Sequence, residues 1–212
     1  MKNLLLIIIA LVFSTLAVGQ ELQPIKLLPP QTGNGKSLMK ALEERCTTRE
    51  FSDRAMSLQD ISNVLWAANG INRVKEMKHT APTAVNWQEI DIYTVLGKGI
   101  YIYNPHDSTL YPVLKGDFRE QAGTQDYVKI SPLNLIYVAD YAKMKNAEEA
   151  KKESYAAADA AFIAENVYLF CAAFDMGSVV RASVDREKLA ATMKLRPEQK
   201  IVFGQTLGYL KK

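Results

Sequence analysis

Two periodicities divide the chain. Between Ser37 and Arg45 the apolar residues Leu38 and Leu42 recur at helical spacing, and from Ser57 the residues Leu58, Ile61 and Leu65 do the same, with Trp66 beside them. The Ser57 side chain is suited to capping free amides, and Gly70 to ending the second helix. Ile71 to Gln88 carries no periodicity and reads as a loop. The period then changes to two: Glu89 to Leu96 alternates and is rich in Ile, Val and Tyr, which predicts a strand. Gly99–Tyr103 and Thr109–Leu114 pattern as a hairpin closed by Asn104-Pro105-His106-Asp107-Ser108. Leu133 to Ala139 is nearly all apolar, as expected of a strand buried on both faces.

Residues 146–175 are the dominant feature. In the run AADAAFIAENVYLFCAAF, starting at Ala157, only Asp159, Glu165 and Asn166 interrupt small and apolar side chains. A helix that is apolar nearly all round has to be covered nearly all round, either as a central core helix or by a second subunit. In so small a domain a partner is the simpler cover, which predicts an obligate homodimer. A short strand, Ser178–Arg181, a helix, Asp185–Lys194, and a closing strand, Ile201–Leu210, complete the series. Helices first, strands in the middle, a long helix and a late strand make an α+β arrangement rather than alternating βαβ units.

Composition narrows the setting. Lys2, the apolar run Leu4–Phe13 and the small residues Ala17-Val18-Gly19 have the layout of a cleaved secretory signal. Residues 1–20 are therefore expected to be removed, and the mature protein to be exported, periplasmic or secreted. Residues 21–36, with Pro24, Pro29, Pro30, Gly33 and Gly35, read as an extended surface arm, and residues 37–212 as one domain. No later segment reads as long and apolar enough to cross a membrane. The formal charge of +3 falls to +2 without Lys2, and the charges are scattered, so no nucleic-acid footprint is present. Cys46 and Cys171 are expected as buried free thiols, with a disulfide as the second option. His79 and His106 stand far apart in sequence, with none of the spacing of a zinc site or a hydrolase triad. Neither a GxGxxG after a strand nor a P-loop is found. A reactive bound cofactor would account for a chain without acid–base or nucleophilic machinery of its own.

The stretch ERCTTREF, Glu44 to Phe51, gathers two guanidiniums and two hydroxyls. It could be a solvated face, with Glu43, Glu44 and Glu50 neutralising the arginines, or a cradle for a doubly charged anion such as a phosphate. Arg45-x-Thr47-x-Arg49-x-Phe51 resembles the phosphate-binding opening of the FMN-dependent nitroreductase superfamily. Ala81-Pro82-Thr83-Ala84-Val85-Asn86-Trp87-Gln88 is similar to that family's Pro-Ser-Ala-x-Asn-x-Gln loop, and Leu65–Arg73, Gly99–Pro105 and Gln125 resemble its branch of thiazoline and oxazoline (azoline) dehydrogenases.

The resemblance implies a central, mainly antiparallel sheet flanked by helices, and an intertwined homodimer with a long interface helix and one FMN per site. It implies that Arg45, Thr47 and Arg49 hold the FMN phosphate, with Arg49 also near the pyrimidine edge of the ring. Pro82, Thr83 and Ala84 would shape the loop against the ring, and Asn86 would pair with the ring edge. A backbone amide within Arg181, Ala182 and Ser183 would lie near flavin N5. The implied activity is two-step hydride transfer through N5 on a small-molecule or peptide substrate. Ala182 and Ser183 stand where many relatives have an acidic residue and glycine, and the chain stops at Lys211-Lys212 where many continue. A dimer that binds a flavin or another planar ligand without turnover is the alternative. Export would separate the enzyme from cytoplasmic NAD(P)H and favour a dehydrogenase role on an external substrate.

Overall fold

The computed structural model describes residues 21–211, so the expected leader lies outside the described residues. Strands β1 (Ile25–Lys26), β4 (Ile90–Leu96), β5 (Gly99–Asn104), β6 (Thr109–Lys115), β7 (Leu133–Asp140), β8 (Met176–Arg181) and β9 (Gln199–Tyr209) form one sheet. Its order is β1-β6-β5-β4-β7-β9-β8, and every neighbouring pair runs antiparallel. The α+β expectation holds. Inside it, between β4 and β9, lies β7, all eight of whose residues are buried, as its apolar run requires.

The helices cover the two faces of this sheet. Helix α1 (Leu38–Glu44), α2 (Leu58–Asn69), α3 (Asp126–Ile130), α4 (Glu149–Ala173) and α5 (Arg186–Met193) follow in chain order. One core layer joins Val64, Leu65 and Ala68 of α2 and Ala160, Ile163 and Val167 of α4 to Leu133, Leu135 and Tyr137 of β7. The opposite layer joins Leu189 and Met193 of α5 and Val128 of α3 to Ile136 and Val138 of the same strand. Alternation along β7 thus feeds both layers. Between them, Tyr137 donates to Gln205 Oε1, while Gln205 Nε2 donates to Ser178 Oγ at 2.8 Å and to the Ala164 carbonyl at 3.2 Å. This buried network fixes the register of β7, β9 and β8 beneath α4.

Local signals act where they were expected. Ser37, Ser57 and Asp185 accept amide hydrogen bonds from Lys40, Asp60 and Lys188 at the starts of α1, α2 and α5. Several expectations are corrected by packing. Leu38 and Leu42 are exposed and Ala41 is the buried residue of α1; Leu58 is likewise exposed. The aperiodic stretch after α2 contains a small hairpin, β2 (Ile71–Arg73) with β3 (Lys78–His79), and α3 had no recognised signal. Residues 21–36 are docked rather than draped. Strand β1 pairs with β6, Leu27 is buried, and the Leu28 and Gln31 amides donate to Ser62 Oγ and Asn63 Oδ1 on α2. Cys46 is exposed and only Cys171 is buried, and both are free thiols. Helix α4 contains an 18-residue window with a mean hydropathy of 1.3, long and apolar enough to cross a membrane, contrary to expectation, yet the helix lies packed on the sheet.

Replacing Ser57 by Ala removes the α2 cap and the hydroxyl's bond to Asp60. It is expected to lower stability by about 1 kcal/mol, seen in urea unfolding as a lower midpoint with an unchanged slope.

Candidate functional site

The segment after α1 leaves the helix at Arg45, whose φ of −56° and ψ of 119° are no longer helical. The chain then crosses the end of β8: the Thr48 amide donates to the Ser178 carbonyl at 3.0 Å, and Phe51 bridges to Leu210. Gly177 makes this crossing possible, because a Cβ there would come within 3.0 Å of Thr48 Cγ2 and of Leu210 Cδ2. Arg45 is half-buried with its guanidinium over the ring of Tyr168, 5.5 Å from the centroid. The Tyr168 hydroxyl accepts from the Val180 amide at 2.8 Å and lies 3.3 Å from Thr47 Oγ1. With an N–H already donated to it, the phenol has its own proton free to give to Thr47. Tyr168 therefore ties the arginine segment, α4 and β8 together. Sequence reasoning missed it because it reads as one more aromatic in an apolar helix.

Two of the three nearby acids are occupied elsewhere, and the third, Glu50, pairs with neither arginine. Glu44 pairs with Lys36 at 2.6 Å and with Lys40 at 3.1 Å, and Glu43 pairs with Lys40 at 3.0 Å. The lysines depress the carboxyl pKa of Glu44, Lys36 first and then Lys40. Neither Arg45 nor Arg49 forms an ion pair with any described residue. Arg49 and Thr47 are exposed. Self-neutralisation by the flanking glutamates, one of the two options for this stretch, does not occur.

The second segment, residues 82–88, is held at the other end of the same helix. The Ala84 amide donates to Asp159 Oδ2 at 2.8 Å, and Thr83 Oγ1 donates to Glu89 Oε2 at 3.0 Å while accepting from the Gln88 amide. Asp159 and Glu89 are both buried. Trp87 packs edge-on against Tyr155 of α4 and donates from its indole to the Lys145 carbonyl. Val85, Asn86 and Gln88 have φ of 50°, 60° and 51°. For β-branched Val85 that is a conformation the surroundings must impose. Pro82 and Asn86 are exposed, and the Asn86 carboxamide oxygen accepts from Gln88 Nε2 at 3.3 Å.

Among the described residues, no hydrogen bond, ion pair or ring contact joins residues 45–49 to residues 82–86. Their anchors on α4, Tyr168 and Asp159, lie nine residues apart, about 14 Å along the axis and about half a turn around it. Between them runs a strip with exposed Tyr155, Ala158, Phe162 and Glu165. Phe162 is 48% exposed, and the neighbouring α1 presents Leu38 and Met39 at 63% and 74%. In this chain, then, the two predicted halves flank an uncovered apolar strip.

The third segment departs from expectation in one respect. The Arg181 side chain is buried and turned inward, with Nη1 donating to Thr206 Oγ1 and Nη2 to the Ala122 carbonyl, both at 2.6 Å, and to Asn134 Oδ1 at 3.2 Å. Burial lowers its pKa to about 10. Glycines at 123 and 204 leave room for the guanidinium. This arginine organises the core, so only its backbone is available to a ligand. Ala182 and Ser183 are exposed just beyond β8. His79 and His106, far apart in sequence, come together with ring centroids 6.4 Å apart, at a cleft of about 450 Å³ lined also by Trp87 and Lys143. Among the described residues no group of three or more His, Cys, Asp or Glu is placed to hold a metal ion.

Known proteins share this fold. The nitroreductase family profile matches residues 42–209. A crystal structure of a Ralstonia eutropha JMP134 protein, provisionally named a nitroreductase, superposes with a TM-score of 0.86 at 36% identity, covering 92% of this chain and 93% of that one. The Escherichia coli microcin synthetase McbBCD, solved with truncated pro-MccB17 bound, shares the fold at a TM-score of 0.68 and 16% identity, over 88% of this chain and 79% of that one. The NADPH:FMN oxidoreductase of Vibrio harveyi, solved with NAD+, does so at 0.62 and 15%, over 82% and 69%.

Replacing Tyr168 by Phe leaves the half-buried Val180 amide without its acceptor. A loss of about 1–3 kcal/mol is expected, measured by thermal or chemical unfolding. Faster exchange of the Val180 amide would locate the effect, and unchanged exchange would contradict it.

Proposed function

The chain belongs to the nitroreductase family, and from that premise we propose that it is an FMN-dependent oxidoreductase whose site is completed by a second copy of itself. One observation carries the proposal. Arg45 and Arg49 flank Thr47 with no carboxylate partner; Lys36 and Lys40 hold Glu43 and Glu44, and Glu50 forms no ion pair with either arginine. Two uncompensated guanidiniums and a hydroxyl suit a phosphate monoester, which accepts several charge-assisted hydrogen bonds. The Vibrio harveyi relative, by name an FMN oxidoreductase, supports the same choice of cofactor.

When bound, the flavin would supply the redox chemistry, accepting and returning hydride at N5. The residues of this chain would do the rest. Arg45, Thr47 and Arg49 would bind the phosphate, with Arg45 steadied on the Tyr168 ring. Arg49 would also favour negative charge at the pyrimidine edge. Pro82, Thr83, Ala84 and Asn86 would border the ring, contributed by the partner subunit's copy of the loop, since in one chain the loop lies on the far side of the α4 strip. Backbone amides of Ala182 or Ser183 would face N5, the Arg181 side chain being committed to the core. The strip of Tyr155, Ala158 and Phe162, with Leu38 and Met39, would be the dimer surface, consistent with the exposure of its large apolar side chains. We also read the protein as exported, on its leader-like first twenty residues, and as similar to the azoline-oxidising branch. The peptide bound by the microcin synthetase makes an external peptide-derived substrate a reasonable class.

Natively purified protein should be yellow, and mass spectrometry of the released chromophore should give FMN. Arg45→Ala should weaken its retention by about 1.5–3 kcal/mol, roughly ten- to a hundredfold in Kd; equal affinity would remove the arginine from the site. Phe162→Glu should shift the protein from dimer to monomer in analytical ultracentrifugation and lower flavin content with it. A dimer that persists with full flavin would place the interface elsewhere.

A further inference from the structure

We propose that Glu89 and Asp159 are positioning residues that share a single proton and, in that state, clamp residues 83–88, of which Val85, Asn86 and Gln88 are left-handed. This deepens the flavin reading, since the clamped residues are those expected beside the ring, but the clamp itself is defined by the protein alone.

The geometry is specific. Glu89 is fully buried and Asp159 is 3% exposed. Each accepts one hydrogen bond from the loop: Glu89 Oε2 from Thr83 Oγ1 and Asp159 Oδ2 from the Ala84 amide. Thr83 Oγ1 in turn accepts the Gln88 amide, closing the loop on itself. The Glu89 main chain is fixed independently, its carbonyl accepting from the Asp140 amide of β7. The remaining Glu89 oxygen, Oε1, is buried with no hydrogen-bond partner among the described residues. An ionised carboxylate with a bare oxygen in that setting is costly, whereas a protonated one can donate to its acidic neighbour. Asp159 on α4 is the charged group acting on Glu89, and Thr83 is the other side chain bonded to it; among the described residues neither carboxylate forms an ion pair. Three consecutive constraints are supplied in this way to a stretch whose Val85 and Asn86 adopt φ of 50° and 60°.

Burial, and then the charge of Asp159, raise the Glu89 pKa from 4.5 to about 7. The sign follows from linkage. When the loop opens, Glu89 meets water and returns to its ordinary acidity, so the closed loop holds a proton that the open loop releases. The closed state is thus favoured most below about pH 4.5 and loses ground as pH rises to about 7. Over that interval the opening constant should grow by about tenfold per pH unit, the slope for one proton, and then level off. The released proton goes to solvent.

Hydrogen exchange of the Ala84 and Gln88 amides, corrected for the intrinsic pH dependence of exchange, reads the clamp directly. Trp87 fluorescence in a Trp66→Phe background provides a second view. The expected result is a fall in protection between about pH 4.5 and 7 in the wild type. In Glu89→Gln protection should be nearly flat and high, because the amide keeps an acceptor for Thr83 and offers Asp159 a neutral donor. Asp159→Asn, which removes the neighbouring charge, should move the wild-type transition to lower pH. A pH-flat wild type, or a Glu89→Gln variant with the wild-type profile, would overturn the proposal. FMN affinity measured across the same range should follow the exchange profile in the wild type and be flat in Glu89→Gln. If no FMN binds at any pH, the cofactor assignment fails while the exchange data still decide the clamp.

Discussion

The structure depends on laying one 25-residue helix, α4, across the central strands. Its Ala160, Ile163, Ala164 and Val167 bury against the sheet and α2, where apolar burial at about 25 cal/mol per Å² is the main source of stability. Small residues allow close approach, and two polar side chains do what the apolar ones cannot. Asp159 receives an amide from the loop that opens β4, and Tyr168 receives one from β8 while reaching Thr47. A helix chosen for burial thus doubles as the rail on which both candidate site segments are mounted. Any displacement of α4 along its axis would be felt at both.

Charge is arranged with the same economy of parts. Lys36 sits between Glu44 and Asp175, linking the start of the domain to the turn after α4. Exposed pairs like these contribute little to stability, commonly under about 1 kcal/mol. Their effect here is selective: they remove competing carboxylates from beside Arg45 and Arg49. The pairing that matters for binding is the one that those acids do not make. By contrast Arg181, equally conspicuous in sequence, is consumed by Thr206, Asn134 and the Ala122 carbonyl, and its charge is spent inside the fold.

What could be read beforehand was whatever is decided within a few residues. The cap at Ser57, the helix starts at Ser37 and Asp185, the strand Ile90–Leu96, the hairpin between β5 and β6 and the unbroken apolar run of β7 all express local rules, and all are present. The misses share a different cause. Whether Leu38 is covered or bare depends on what packs against α1, not on its spacing. The short α3 and the β2–β3 hairpin are set by neighbours rather than by propensity. The site was legible as three segments in order, but their mutual placement was not. Arg181 and Ser183 adjoin in sequence, yet one side chain faces the core and the other the solvent. Asp159 did leave a trace, a lone acid inside an apolar helix. Such a residue must be paired once buried, though its partner, Glu89, lies 70 positions away.

Strand β1 is only two residues long and follows Pro24, and beyond it the sheet stops. A short outer strand with a proline beside it is a poor template for further pairing. It sits on β6, a seven-residue strand that would otherwise present a row of unpaired main-chain groups. The docked arm therefore acts as a hem on one end of that edge, where Ile25 and Lys26 oppose Leu110 and Thr109. A version trimmed to residues 42–209, the span matched by the family profile, would lack that hem. It would keep the parts assigned to flavin binding while gaining an open margin for self-association.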